Sequence, residues 1–438
     1  MSGDGRFSGP GRRRLRSHAL AFVLLCAVFG GRGSPALGQE EPLALKGARL
    51  LTITRGVIEN GILVMQGGQI TAIGADVRIP DGATVMDMTG KTVMPGLIDG
   101  FTNLGAADYP SYGADDDEAT DPVTPQLRII DGLNPENRFI PMARNAGVTS
   151  VLSAPAEGNL VTGQSALVRL AGETLEEVVV RAPAGVHVTL GEAAKLRYGE
   201  KNRMPGTRMG SAALLRQTLV DAEGYREKLA LHERKLADFR SGKGAGGTEA
   251  PEPPARNLKL EALLPVLSGE TPLIVSADRF DDIHTALRIA EEFDLRIILN
   301  HGAEAHRVAR ELASREIPVI WGPAEDRYRE LESQGGTPET PALLAQEGVF
   351  FAFQTGSVEN LAGLLDQART AVAHGLSREV ALAALTLHPA RIFGVADRLG
   401  SLEVGKEADL VVFDGDPLER ISRVEMVFIG GRSLPPRS

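Results

Sequence analysis

Between Val93 and about Ala390, the sequence alternates short apolar runs with amphipathic stretches of helical period. Seven apolar runs follow this rhythm: VMPGLID at 93–99, VTSVLSA at 148–154, VHVTL at 186–190, PLIVSA at 272–277, RIILNH at 296–301, PVIWGP at 318–323 and VFFAFQT at 349–355. Almost continuously apolar strands that alternate with helices indicate a parallel sheet covered on both faces. One further strand is easily missed in such a count, so we predict an α/β fold with a closed (β/α)8 TIM-like barrel over residues 95–390.

The segments on either side of this region have a different pattern. Residues 39–94 contain short apolar runs separated by Gly, Asn and Asp-Gly turn signals, which is typical of small antiparallel strands. Residues 391–438 return to short strands around an Asp-Gly-Asp-Pro turn. We therefore expect the two segments to form one composite β-sandwich. Inside the barrel region, the pattern predicts a long polar helix over about 211–239 and a flexible Gly- and Pro-rich loop at 241–256.

Residues 1–38 have the features of an export signal. A basic front with several arginines precedes the apolar run ALAFVLLCAVF at 19–29, and Ala36-Leu37-Gly38 supplies small residues for cleavage. The run is too short for a membrane-spanning helix, so an uncleaved anchor is the weaker alternative and no stable membrane insertion is expected. The sequence therefore predicts a periplasmic or secreted protein, and both Sec and twin-arginine export remain open.

Charge and cysteine content exclude several function classes. Cleavage after Gly38 would remove six of the 47 basic residues and one of the 57 acidic residues, leaving a formal net charge of −15. Nucleic acids and anionic membrane surfaces are poor partners for such a chain. The only cysteine, Cys26, lies in the predicted signal, so the mature chain has no disulfide, thiolate nucleophile or cysteine metal site.

Several stretches carry a resemblance to a known family. They are VMPGLID at 93–99, AGVTSVLSAPAEGNLVTGQ at 146–164, TRMGSAALLRQ at 207–217, LNHGAE at 299–304, LTLHPARIFGV at 385–395 and RLGSLEVGKEADLVVFDGDPL at 398–418. Together they span nearly all of the predicted mature chain. The chain resembles the amidohydrolase superfamily, in particular its imidazolonepropionase-like, exported branch.

The resemblance implies hydrolysis of amide, cyclic amide or related bonds at one or two divalent metals near the carboxyl ends of barrel strands. It also implies where the metal ligands should lie. Phe101 and Asn103 occupy the positions of the first strand's two histidines, and neither replaces an imidazole ligand. His187 stands where many relatives have a lysine, Ser276 replaces the fifth strand's histidine, and Gly356 occupies the place of the catalytic aspartate. Of these expected residues only the sixth strand's histidine, His301, is present.

We therefore predict a degenerate metal site and a protein that is not a hydrolase, with no metal cofactor and no catalytic residue expected. Its role would be binding, either of a small-molecule ligand or of an intact amidohydrolase relative, in a homo- or hetero-oligomer. The alternative is an active hydrolase of C–N bonds with one divalent metal such as zinc. In that case His187, Asp278 and His301 form a rearranged mononuclear site supported by Asn103 or Asp99, with Glu304 or Glu157 as the base.

A long loop at 109–124 is expected to cross the barrel mouth, as a lid or as a plug of the vacant pocket. It contains the acidic run at 115–118, which lacks the glycine and spacing of a calcium loop. We predict that this run is a solvated face.

Overall fold

The computed structural model describes residues 41–107, 115–242, 250–323 and 332–434. The predicted export signal lies outside the described residues, as do positions 108–114 and 243–249 of the two predicted loops. Within the described ranges, no helix has the length and apolar content needed to cross a membrane.

One eight-stranded sheet combines both ends of the described chain. Its strands are β1 (Leu43–Leu51), β2 (Val57–Gln66), β3 (Gln69–Gly74), β4 (Thr84–Asp87), β5 (Thr92–Pro95), β14 (Leu410–Phe413), β15 (Val424–Ile429) and β16 (Arg432–Leu434). β14 pairs antiparallel with both β5 and β15, so the C-terminal strands extend the sheet begun by the N-terminal segment. Leu410 and Val412 pack into the core of this domain, whereas Val411 and Phe413 join the large cluster around the barrel. The predicted composite β-rich domain is confirmed.

The second sheet is a nearly closed barrel of eight strands. They are β6 (Leu97–Thr102), β7 (Val148–Ser153), β8 (Val161–Arg169), β9 (Val179–Thr189), β10 (Leu273–Ala277), β11 (Ile297–His301), β12 (Val319–Trp321) and β13 (Phe351–Phe353). The first and last strands meet where the Gly356 N–H donates to the Phe101 carbonyl at 3.0 Å. The predicted TIM-like barrel is confirmed.

The strand that the sequence pattern did not reveal is β8, and its direction is unusual. It runs antiparallel to both β7 and β9. Its sequence VTGQSALVR is interrupted by Gly163, Gln164 and Ser165, so no continuous apolar run marks it. Antiparallel connections on both sides of β8 therefore replace the parallel crossovers of the regular barrel.

The helices surround the barrel. They are α1 (Ile140–Asn145), α2 (Leu175–Val178), α3 (Glu192–Gly199), α4 (Arg208–Arg240), α5 (Leu258–Glu261), α6 (Leu264–Leu267), α7 (Phe280–Glu292), α8 (Ala309–Ser314), α9 (Thr340–Gln346), α10 (Leu364–Ala373), α11 (Arg378–Ala384) and α12 (Leu387–Ile392). α4 is the predicted long helix, and it is followed after the undescribed positions by residues 250–256 without regular structure. In α7, Asp281 and Asp282 lie in the first turn, where the helix dipole favours negative charge.

Strand alternation determines the content of the barrel interior. Ile274, Ile298, Ile320 and Ala352 are fully buried and form one apolar cluster inside the barrel. Side chains two residues apart on a strand share a face, so the next inward positions toward the carboxyl ends include Ser276, Asn300 and Gln354. The interior thus changes from an apolar layer to a polar layer as it approaches the mouth.

Candidate functional site at the barrel mouth

The polar layer is a connected chain of side-chain hydrogen bonds. Asn300 Nδ2 donates to Ser276 Oγ at 2.9 Å, and Gln354 Nε2 donates to Asn300 Oδ1 at 2.9 Å. Asn300 Nδ2 also contacts Glu157 Oε1 at 3.2 Å. Because only the amide nitrogen can donate to this carboxylate, the contact fixes the orientation of Asn300 and, through it, of Gln354.

His301 and Glu157 form the central contact of the mouth. His301 ends β11 with a φ of 74°, and its Nε2 lies 2.7 and 2.6 Å from the two carboxylate oxygens of Glu157. Its Nδ1 lies 3.1 Å from the Gly322 carbonyl oxygen. With its ring proton on Nε2, the imidazole donates to this carboxylate. The Nε2 lone pair is therefore not presented to another ligand in this arrangement.

His187 is the second imidazole of the mouth. Its side chain is 2% exposed, and neither ring nitrogen has a hydrogen-bond partner. Burial lowers the pKa of His187 to about 4, although the nearby charge of Glu157 acts in the opposite direction. His187 is therefore neutral at physiological pH, with one unsatisfied donor and one unsatisfied acceptor.

Phe101 packs against both imidazoles. Its ring centroid lies 5.6 Å from that of His187 and 5.7 Å from that of His301. The phenyl ring is 3% exposed and belongs to the interior apolar cluster. An apolar ring thus stands beside the two nitrogen-bearing side chains, at the position where the first metal-binding histidine was expected.

Asn103 connects two loops above the barrel. Its Nδ2 donates to Asp116 Oδ2 at 2.9 Å, and its Oδ1 accepts the Val358 N–H at 2.9 Å. Asp117, the next residue of the acidic run, forms a two-point ion pair with Arg197 at 2.6 Å for each contact. The prediction of a fully solvated acidic run is wrong for Asp116, which is 7% exposed and whose pKa is raised by burial. The amide of Asn103 explains the difference, because it gives the buried carboxylate a donor.

Asp278 and Glu304 have local structural contacts. Asp278 Oδ1 accepts the Ala303 N–H at 3.1 Å, and Glu304 Oε2 accepts the Phe280 N–H at 2.8 Å. Arg307 also donates to Glu304 Oε2, at 3.0 Å. Both carboxylates thus stabilise the turns that follow β10 and β11.

Asp99 is fully buried at the junction between β6 and the residues after β13. Its Oδ1 accepts the N–H groups of Thr355 at 3.0 Å and Phe101 at 3.2 Å, and Thr355 Oγ1 lies 2.5 Å from Oδ2. Burial raises the pKa of Asp99 to about 7, and these hydrogen bonds only partly offset that effect. Asp99 therefore links the first and last strands of the barrel.

Comparison with known proteins identifies the family. A family model described as Amidohydrolase family matches residues 277–434. The crystal structure of an amidohydrolase from Thermotoga maritima MSB8 superposes with a TM-score of 0.82 and 36% sequence identity, covering 90% of this chain and all of that one. This chain belongs to the amidohydrolase family.

Two curated relatives are less similar in sequence. An imidazolonepropionase of Mesorhizobium japonicum is 28% identical over 411 residues, which cover 86% of this chain and 94% of that protein. Amidohydrolase tasK of Hapsidospora irregularis is 26% identical over 392 residues. The chain spans only 39% of the length of tasK.

Amidohydrolases typically use a divalent metal, and the donor set at this mouth does not fit one as arranged. Phe101 has no lone pair, both ends of the Asn103 amide are hydrogen bonded, and Nε2 of His301 lies at hydrogen-bond distance from Glu157. Across the described ranges, no group of three or more His, Cys, Asp or Glu side chains is placed to hold a metal ion.

The position of the expected amidohydrolase aspartate is also restricted. Gly356 has a φ of 78°, which L side chains rarely adopt, and an added Cβ would lie 3.0 Å from Pro323 Cδ. An aspartate at this position would require a local shift of the backbone or of the proline.

Sequence reasoning identified Glu157 only as a possible base and missed Asn300 and Gln354. The two amides could have been found from strand alternation, since each lies two residues beyond an inward apolar residue. No local signal pairs Glu157 with His301, because 144 positions of sequence separate them.

Proposed function

We propose that this protein is an amidohydrolase-family member that binds a small molecule at the barrel mouth and does not perform metal-dependent hydrolysis. The observation that carries this proposal is the close contact of His301 Nε2 with both carboxylate oxygens of Glu157. His301 is the one expected metal-binding histidine that the sequence retains, and its Nε2 is already in contact with a carboxylate.

Metal binding would have to compete with this hydrogen-bond network. A histidine ligand must present a free lone pair, so the Nε2 proton would have to leave and Glu157 would have to move. Asn300 would then lose a charged acceptor for its buried amide, which is unfavourable because buried donors without partners cost free energy. The network therefore favours the proton over a metal ion.

A metal-dependent hydrolase of amide or cyclic amide C–N bonds is the second candidate. Two observations favour it: the unpartnered ring nitrogens of His187, and the similarity to a protein named imidazolonepropionase. In that case one divalent metal such as zinc would be held by His187 and His301 together with Asp278 or Glu157.

Metal content distinguishes the two candidates. The purified mature protein and its His301→Ala variant are dialysed against zinc and manganese, passed through a desalting column and analysed for metals. His374→Ala serves as the control, because His374 is an exposed residue at the end of α10. We expect no stoichiometric metal in any of the three proteins. About one metal per chain that is lost only in His301→Ala would contradict the proposal, and a screen of amide and cyclic amide substrates would follow.

Export and assembly are part of the same proposal. The basic and apolar pattern of residues 1–38 supports cleavage after Gly38 and a periplasmic or secreted location. Self-association or pairing with an intact relative remains an alternative binding role. N-terminal sequencing of the protein recovered from its native host tests the first point, and sedimentation with and without a co-expressed relative tests the second.

A further inference from the structure

The geometry points to a small organic cation, a protonated amine, as the ligand of the barrel mouth, bound between Glu157, His187 and the ring of Phe101. This inference rests on the proposed function, because it assumes that the mouth binds a ligand without a metal. It adds the chemical class of that ligand and the side chains that select it.

His187 is the first indication of an unassigned ligand. Both of its ring nitrogens are buried and unpartnered, and Thr189 Oγ1, two residues further along the same face of β9, is also buried without a partner. Almost all buried polar groups in folded proteins have a hydrogen-bond partner, so several orphans in one place call for an occupant. A neutral imidazole offers a lone pair to an N–H donor, and the hydroxyl can accept a second one.

The charges at the mouth select the sign of that occupant. Glu157 carries a carboxylate with a side chain that is 26% exposed. The loop that carries Asp116 is fixed beside it, because the Ala156 N–H donates to the Asp116 carbonyl at 2.9 Å. Within the described residues Asp116 is bonded by the Asn103 amide and by no cationic side chain, whereas its neighbour Asp117 has Arg197. Two carboxylates on adjoining segments disfavour an anionic ligand and favour a cationic one.

Phe101 provides the third element of the site. A cation is attracted to the face of an aromatic ring, and this ring lies next to both imidazoles. An ammonium group carries several N–H donors in different directions, which matches a carboxylate oxygen, an imidazole lone pair and a hydroxyl. A bare metal ion would instead need three strong ligands in contact with it, and the described side chains do not provide them.

The test compares probes of one size and different charge. Ligand-observed NMR and calorimetry at about pH 8, where alkylamines are protonated, measure binding of n-butylammonium, 1-butanol and butyrate to the metal-free mature protein. Methyl- and benzylammonium with their alcohols extend the comparison to smaller and larger probes. We expect the ammonium probes to bind more tightly than their alcohols and butyrate not to bind.

Variants assign the binding to the proposed site. Glu157→Gln keeps the shape of the side chain and removes its charge, and we expect about tenfold weaker ammonium binding. Glu359→Gln makes the same charge change at an exposed residue after β13 and should leave the affinity unchanged. His187→Leu removes the polar nitrogens with little change in side-chain volume, so it should weaken ammonium binding while largely preserving the melting temperature.

The outcomes separate this inference from the proposed function. The organic-cation site would be overturned if ammonium and alcohol probes bound equally, if butyrate bound preferentially, or if none of the ammonium probes bound. These outcomes would leave the proposed metal-free binding role standing. Both proposals would be overturned if the protein bound one zinc ion per chain and none of the amine probes displaced it. Ammonium binding that is equally strong in Glu157→Gln and Glu359→Gln would place the ligand elsewhere and also refute the inference.

Discussion

Replacing the buried carboxyl group of Asp99 should make the protein more stable at neutral and alkaline pH. Asp99 accepts two N–H groups on Oδ1 and contacts the Thr355 hydroxyl through Oδ2. In an Asp99→Asn variant the amide oxygen can accept both N–H groups and the amide nitrogen can donate to the hydroxyl. The substitution therefore reproduces the contacts of the protonated acid and cannot ionise.

The magnitude follows from the pKa of Asp99. Its folded-state pKa of about 7 lies above the ordinary value of 3.8, so the folded chain retains a proton that the unfolded chain has released between these values. The stabilisation associated with Asp99 is fully present below pH 3.8 and is lost as the pH rises toward 7. At 1.36 kcal/mol per pH unit, the loss in the free energy of unfolding is about 4 kcal/mol. The Asp99→Asn variant should not show this loss.

Urea denaturation of the mature protein at several pH values between 5 and 8 measures this difference. Trp321, the only tryptophan, ends β12 and reports unfolding of the barrel. The stability of Asp99→Asn relative to wild type should rise by about 3 kcal/mol across this range. Asp397→Asn changes an exposed aspartate and should follow the wild-type curve. The reasoning would be refuted if the free energy of unfolding of wild type and Asp99→Asn changed with pH in the same way. It would also be refuted if Asp99→Asn were less stable than wild type at pH 8.

Three other substitutions test separate parts of the structure. Asn103→Ala should lower the free energy of unfolding by about 1–3 kcal/mol, because it leaves the buried Asp116 without its amide donor. Limited proteolysis should then cleave the loop above the mouth faster than in wild type. Arg169→Ala should lower the free energy of unfolding by about 3–5 kcal/mol, since it leaves the buried carboxylate of Asp409 unpaired; a melting temperature equal to that of wild type would contradict this. Ile298→Ala should lower the free energy of unfolding by about 2–5 kcal/mol, measured by urea denaturation, because it opens a cavity inside the barrel. A loss below about 1 kcal/mol would indicate that the interior collapses around the site.

The sequence predicts the fold well wherever one local period dominates. Continuous apolar strands alternating with amphipathic helices led to the barrel, and turn-rich segments at both ends led to the composite domain. β8 escaped detection because its glycine and polar residues break the apolar run, while its antiparallel partners β7 and β9 supply hydrogen bonds that the pattern does not reveal. Its pairing depends on distant partners, and local periodicity carries no information about them.

The candidate site could be predicted only in part. Inability to bind a metal is a property of the side chain itself, so Phe101 and Asn103 could be recognised from residue type and position. The contact between Glu157 and His301 depends on tertiary packing, as does the burial of Asp116 beneath the Asn103 amide. Charge patterning assigned Asp116 to solvent because it considers only neighbouring residues in the chain.

The position of β14 between β5 and β15 has a consequence for biosynthesis. β5 obtains one of its two neighbours only after the whole barrel region and then β14 have been made, so the first sheet stays incomplete while the barrel is synthesised. A nascent or truncated chain that ends before Leu410 exposes the edge of β5, and unpaired strand edges promote aggregation. Assembly of the first sheet therefore waits for the synthesis of β14, and chaperones that shield strand edges should act on the chain during this interval.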